Sequence, residues 1–411
     1  MKMEQLLQRE PFPYIFEQTM GWYWSHQHQK PYRVRWSGAK RGGRPGAGPG
    51  QVWVCNPRLN AVWAGDHSWR ALSPVRRDFG VAVTPWKRPL SRAYAWVATT
   101  GPMDGWLTPR RLWVNPAVPR ARELLIGAGN TKLRVFDAAR GQCTAIAKQG
   151  FDTRWLANEI EGRRLAHRFA LAVPRLYAAG SDGRWFVEEC VAGTPVNRIS
   201  CSRRRDPAIA RCLRDVQVLA ERTARECGCR EYLDGLLNSI GERLQRDRML
   251  DTAARDTLRW WLAEVDGLVE REGWSRRRLV VSTCHGDFAL GNILAGKDGC
   301  WLVDWEWSRT AQAGYDGLHF ALRPSEVALL PRRFRSLVQE ERRWQEPVLA
   351  CWPGLADPDP GTRRLRLLLF LLERLEIRLQ SDINPLFFRP DAGLTSFLQQ
   401  LPVLLQALET A

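Results

Sequence analysis

Two carboxylates and an amide stand in this sequence at a spacing suited to chemistry on phosphate. Residues 283–294 read Thr-Cys-His-Gly-Asp-Phe-Ala-Leu-Gly-Asn-Ile-Leu, and residues 301–306 read Trp-Leu-Val-Asp-Trp-Glu. Asp287 and Asn292 thus share one short loop, and Asp304 follows on an apolar strand. Phosphoryl transfer from ATP needs a carboxylate beside the attacking hydroxyl. It also needs an amide oxygen and a second carboxylate to hold Mg²⁺ against the phosphates. Mg²⁺ prefers hard oxygen donors and keeps several waters, so two protein ligands suffice.

The elements that must position these groups can be read around them. Ile293 and Leu294 leave the loop as a buried strand. Gly296-Lys297-Asp298-Gly299 is a hairpin turn, and the return strand 300–303 delivers Asp304 beside the same metal. Gly286 and Gly291 let the backbone turn where a side chain would obstruct.

The run His-Gly-Asp-x-x-x-x-Asn at 285–292, Val303-Asp304-Trp305-Glu306, and the later Tyr315-Asp316 before an apolar helix start resemble the aminoglycoside phosphotransferase and choline kinase families. These families have a protein-kinase-like fold. The resemblance runs from about 121 to 320. It implies that Asp287 is the catalytic base, that Asn292 and Asp304 are Mg²⁺ ligands, and that His285 and Asp316 organise the loop.

The other half of an ATP site should lie upstream. Residues 124–130 look like a strand entering a glycine turn, and 133–137 a return strand. Amides near Gly127 and Gly129 could cover phosphates, although Gly-Ala-Gly-Asn is equally an ordinary hairpin turn. The strand 143–148 ends in Lys148. With 7 Lys against 54 Arg in the chain, a strand-end Lys is unlike filler, and its compact charge suits the α- and β-phosphates. The resemblance pairs that lysine with a helix glutamate, pointing to Glu159, with Glu161 as competitor. Residues 185–195 resemble the hinge between lobes, where adenine would meet backbone groups near Glu189 to Val191.

The 411 residues carry a net charge of +17, unevenly spread: residues 1–120 hold 18 basic and 6 acidic side chains, and the remaining 291 carry only +5. A basic field there favours anionic partners such as nucleic acid, phospholipid headgroups or acidic glycans, and disfavours a polycationic aminoglycoside as acceptor. Residues 1–10 lack the apolar run of a leader, and the apolar helix over 365–379 contains five charged residues and is too short to span a bilayer. Ten scattered cysteines without zinc spacing fit reduced thiols and a cytoplasmic location, with attachment to a membrane surface left open.

Ten of the twenty Trp precede residue 121. They could form a stacking surface for single-stranded nucleic acid or sugar rings, but singly placed on strand-like segments they favour the core of a small β-rich domain. Residues 37–51 read as a Gly/Pro/Arg-rich loop, 51–55 and 59–63 as a hairpin, and 353–360 as a break between helices. Helical patterns cover 207–272, 329–352, 365–379 and 394–408.

The expectation is an α+β, protein-kinase-like two-lobe fold. A Trp-rich basic extension over 1–120 precedes a β-rich N-lobe over 121–192 and a helical C-lobe over 193–411. The expected activity is ATP- and Mg²⁺-dependent transfer of the γ-phosphate to a hydroxyl of a small molecule or glycoconjugate, of the sugar or amino-alcohol class. Trp305 and Trp307 leave room for a choline-like cation, which would need an aromatic cage. The rival is a catalytically inactive kinase-like binding or regulatory protein that acts through its basic N-terminal region.

Overall fold

The computed structural model describes residues 3–37, 50–80, 85–100, 110–247, 250–350, 352, 359–382, 384, 386–388 and 392–410. Most of the loop expected over 37–51 and of the break expected over 353–360 lies outside them. The chain forms two compact units. One comprises Met1–Ile160, Pro174–Ser202 and Ala295–Trp301; the other comprises Glu161–Val173, Arg203–Leu294 and Leu302–Ala411.

The first unit is built on a nine-stranded sheet. Its strands are β1 (Arg33–Ser37), β2 (Gln51–Asn56), β3 (Ala61–Ala64), β4 (Arg110–Asn115), β5 (Leu124–Ala128), β6 (Lys132–Asp137), β7 (Gln142–Ala147), β8 (Leu176–Ala179) and β9 (Trp185–Glu189). Their order is β1-β4-β2-β3-β5-β6-β7-β9-β8, with antiparallel neighbours throughout. The expected hairpin around Asn56-Pro57-Arg58 is β2–β3, in which Asn56 pairs with Ala61.

The boundary expected near residue 120 falls inside this sheet, because β3 pairs with β5. The extension and the expected N-lobe share one hydrophobic core. Side-chain alternation explains how: successive strand residues face opposite sides. Trp53, Cys55, Val62, Ala64 and Ile126 enter one core, whereas Val54, Ala61, Trp63 and Leu125 enter another.

Helices cover both faces. The extension was expected to be β-rich, yet it opens with α1 (Met3–Arg9) and α2 (Phe12–His28). Phe12, Ile15, Phe16, Thr19, Met20 and Trp24 recur at helical intervals along α2 and are buried. On the other face lie α3 (Ser73–Gly80) and α4 (Arg88–Ala98), which contribute Val75, Ala95 and Ala98. Helix α5 (Arg154–Arg168) begins in this unit, and its Leu156 and Ile160 pack on Ala145, Ala147 and Phe186.

The second unit is mainly helical. Three helices occupy the region expected for them: α6 (Ser202–Thr223), α7 (Cys229–Arg246) and α8 (Thr252–Arg271). After β10 (Thr194–Pro195), a short sheet carries the site: β12 (Arg278–Cys284) pairs on one side with β11 (Arg225–Gly228) and on the other with β15 (Arg309–Gln312). Between β12 and β15 in sequence come β13 (Ile293–Ala295) and β14 (Cys300–Leu302), the strand leading to Asp304. Helix α9 (Tyr315–Leu322) follows β15. Further on come α10 (Leu330–Gln339) and α11 (Pro347–Ala350), then α12 (Pro360–Asp382), buried along most of its length, and α13 (Ala392–Glu409).

The buried carboxylate of Glu373 on α12 ties these parts together. It accepts hydrogen bonds from the Gln312 backbone N–H (2.7 Å), the Gln312 side-chain amide (2.9 Å) and the Tyr232 hydroxyl. Among the described residues no helix is long and apolar enough to cross a membrane. Among the described residues none of the nine cysteines forms a disulfide.

Candidate active site

The loop after β12 is held from behind by one buried carboxylate. Asp316 accepts the backbone N–H of His285 (2.7 Å, Oδ2) and of Gly286 (3.0 Å, Oδ1). Burial raises the Asp316 pKa, opposed by His285 and by these two amide bonds. His285 is fully buried and bonded at both nitrogens: Nδ1 accepts the Asp287 N–H (3.2 Å), so the ring proton sits on Nε2, which donates to the Val303 carbonyl (3.0 Å). His285 therefore joins the Asp287 loop to the strand that ends at Asp304.

Gly286 is required by geometry. Its φ is +85°, and a Cβ placed there would lie 2.1 Å from the Trp307 carbonyl oxygen. Asp304 also adopts the left-handed conformation (φ 71°, ψ 57°), which Asp tolerates better than most residues. Strain held at such a position is a feature of functional sites.

Asn292 donates its side-chain amide to the Asp287 carbonyl (2.8 Å) and to Asp287 Oδ2 (3.0 Å). Those bonds turn its amide oxygen away from Asp287 and leave it available as a ligand. The Val303 N–H donates to the Asn292 carbonyl (2.9 Å), so the backbones carrying Asn292 and Asp304 run side by side. The second unit thus brings together Asp287, His285, Asn292, Asp304 and Asp316. Trp305 is fully buried with its ring edge against His285 (centroids 4.7 Å apart), so it is packing rather than the wall of a cation cage.

Two residues at this site escaped the sequence reasoning. His319 on α9 is buried, with Nδ1 3.1 Å from the Phe288 carbonyl and Nε2 3.3 Å from Asp287 Oδ1. A carbonyl only accepts, so Nδ1 carries the proton. Burial, aided by the Arg374 charge, pushes the His319 pKa down to about 4, so Nε2 presents a bare lone pair to Asp287 near neutral pH. Arg374 on α12 is buried, with Nη1 4.0 Å from Asp287 Oδ1. A signal for His319 existed: it lies one helical turn beyond Asp316. Arg374 offered none, since it looks like any charge on an amphipathic helix.

The first unit holds two buried lysine–glutamate pairs, and their partners differ from expectation. The Lys148 ammonium donates to Glu10 Oε1 (2.6 Å) and to the Asn130 carbonyl (2.8 Å), near the rings of Phe12 and Phe151. Both side chains of that pair are fully buried, and burial raises the Glu10 pKa despite the Lys148 charge. Glu159, fully buried, is instead bonded by Lys132 of β6.

Strand parity explains the exchange. Ala145 and Ala147 face α5, while Ile146 faces the core beneath α2. The Lys148 N–H extends the ladder by bonding to the Thr131 carbonyl, so its side chain follows Ile146 toward α2 and meets Glu10. Lys132 stands opposite Ala147 in register and therefore shares the α5 face, where Glu159 lies. Glu161 is exposed and pairs with Arg164 on its own helix.

The expected glycine turn is the β5–β6 hairpin. Gly127 lies within β5, and the Gly129 N–H donates to the Lys132 carbonyl (2.9 Å), so the turn leads directly into Lys132. At the expected hinge, the N–H groups of Glu189 and Cys190 donate to Arg175 (2.8 Å) and Gly141 (2.9 Å). An adenine edge there would have to use carbonyl groups or the Val191 amide.

The sequence matches the phosphotransferase enzyme family over residues 105–375, and the chain belongs to that family. Its fold is protein-kinase-like, with a β-rich N-terminal part and a helical C-terminal part. No curated protein matches the sequence. Among solved structures, a choline/ethanolamine kinase family protein from Mesorhizobium loti is 18% identical, with 78% of this chain and 99% of that chain covered and a TM-score of 0.41. A thermostable mutant of the aminoglycoside phosphotransferase APH(4)-Ia, in ternary complex with ADP and hygromycin B, is 13% identical, with coverages of 69% and 93% and a TM-score of 0.47. An ethanolamine kinase from Plasmodium vivax is 15% identical, with coverages of 70% and 81% and a TM-score of 0.44.

Proposed function

We propose that this phosphotransferase-family protein transfers the γ-phosphate of ATP to a hydroxyl of a small molecule or glycoconjugate. The observation that carries the reading is the loop of the second unit. There Asp287 is oriented by Asn292 and His285, and Asp304 is held beside Asn292 through the Val303–Asn292 bond. Asp287 accepts the proton of the acceptor hydroxyl as its oxygen bonds to the γ-phosphorus, and the bond to the β-phosphate oxygen breaks to release ADP. The protonated Asp287 can then donate to the bare Nε2 of His319. Arg374 offsets the charge of Asp287 before transfer.

Asn292 and Asp304 offer an amide oxygen and a carboxylate, which suit Mg²⁺. A magnesium ion bound by them would supply positive charge to the phosphate oxygens. In the first unit, Lys132 takes the phosphate-anchoring role expected of Lys148, because Lys132 is the lysine paired with the helix glutamate.

The test is ADP release from Mg²⁺-ATP across a panel of sugars, glycoconjugates and amino alcohols, with wild type and Asp287→Asn. The reading expects acceptor-dependent turnover in wild type and its loss in the variant. Equal turnover by Asp287→Asn would overturn the role of Asp287.

A further inference from the structure

The first unit carries an exposed apolar stripe that the phosphotransfer reading does not use. Trp86, in the turn before α4, is 69% exposed, and Leu90 and Trp96 on α4 are 67% and 60% exposed. With Ala93, also exposed, they recur every three or four residues and form one helix face. The opposite face of α4 is already satisfied: Ala95 and Ala98 are buried in the core, and the Tyr94 hydroxyl lies 3.2 Å from the Asn56 amide. The helix therefore holds its apolar side outward on a fixed base.

Trp69 is a further exposed tryptophan of the same segment. It is 68% exposed and lies under the Arg76 guanidinium, which also donates to the Thr99 hydroxyl (2.8 Å) and carbonyl (3.1 Å) just past α4. The segment that carries the stripe is predominantly basic. From 69 to 96 the sequence holds six basic residues against the single acid Asp78, and Lys87 and Arg92 are exposed beside the apolar face.

We propose that the outer face of α4, with Trp86, is a docking surface for an anionic lipid bilayer. Exposed Trp and Leu beside Lys and Arg on an amphipathic helix are what an interfacial helix needs: the apolar groups enter the headgroup boundary and the cations meet lipid phosphates. A single-stranded nucleic acid fits less well. Leu90 at the centre of the stripe gives a base nothing to stack on, whereas it gains from contact with acyl chains.

The test is co-sedimentation of the full chain with vesicles of phosphatidylcholine alone or with about 30% phosphatidylglycerol, repeated with a poly-thymidine oligonucleotide as the probe. Variants are Trp86→Ser/Leu90→Ser/Trp96→Ser and Lys87→Glu/Arg92→Glu. All five side chains are exposed, so unchanged circular dichroism and melting are expected of both. The proposal expects salt-sensitive pelleting with anionic vesicles only, a blue-shifted Trp emission on binding, and about a tenfold or greater loss in each variant. Absence of pelleting, equal pelleting by the variants, or tighter oligonucleotide binding abolished by the same changes would each overturn it. None of these readouts depends on phosphotransfer, so failure here leaves the catalytic reading intact.

Discussion

The Asp287 loop of the second unit and the buried lysines of the first unit answer to different kinds of information. In the loop, Asp287, His285 and Asn292 lie within eight residues, and their hydrogen bonds to one another are local. In the first unit, Lys148 bonds to Glu10 across 138 residues of chain, and Lys132 to Glu159 across 27. A short motif carries its geometry with it. A long-range pair is decided by which face of a sheet each side chain takes and by what covers that face. Here the covering element is the N-terminal extension, which supplies a carboxylate that no local motif could announce.

Several variants would break or sharpen this contrast. Asp287→Asn keeps the Asn292 bond but removes the proton acceptor, and turnover should fall by about 10²–10⁴-fold with ATP binding retained, as read by steady-state kinetics and calorimetry. Lys148→Met alone leaves Glu10 buried without its ammonium and should cost about 3–5 kcal/mol in denaturant unfolding. The paired change Lys148→Met/Glu10→Gln should recover most of that loss and, if Lys132 is the phosphate-anchoring lysine as proposed, leave kcat/KM for ATP within about twofold.

Lys132→Arg keeps the charge beside Glu159 but not the compact ammonium, and should lower kcat/KM for ATP by about tenfold or more with little effect on the Glu10 pair. If Lys148→Met/Glu10→Gln, rather than Lys132→Arg, abolished ATP use, the assignment of the two lysines would be reversed.

A smaller effect belongs to His319. Its pKa is pushed down to about 4 from an ordinary 6.5, so the unfolded chain takes up a proton that the folded one refuses. Stability should therefore decline as pH falls from about 6.5 to about 4, by up to about 3 kcal/mol, and level off below. His319→Asn, whose amide can still donate to the Phe288 carbonyl, should flatten that decline in unfolding curves measured at stepped pH.

Much of the fold could be read from the sequence. The β2–β3 hairpin, the β5–β6 hairpin, the three helices before the catalytic loop and the strand leading to Asp304 all follow local patterns of alternation, turn residues and helical spacing. The extension was legible in part: Trp36, Trp53, Trp63 and Trp113 do lie on strands, but the helical recurrence of Phe12, Phe16, Met20 and Trp24 marks a helix within the same segment. Lys132, the lysine that pairs with Glu159, stands at the start of its strand and not at a strand end. The scarcity of Lys that singled out Lys148 applied equally to Lys132, and the alternation Ala145-Ile146-Ala147-Lys148 already put Lys148 on the face of the bulky Ile146, opposite the two alanines. Arg374 reaches Asp287 only through tertiary packing and had no local signature.

The most direct test is calorimetric titration of wild type and Asp304→Ala with ATP, each with and without Mg²⁺. The account predicts ATP binding by wild type that strengthens with Mg²⁺, and loss of the magnesium-dependent part in Asp304→Ala. Folded wild-type protein that binds no nucleotide, or an Asp304→Ala variant that keeps the full magnesium effect, would contradict it.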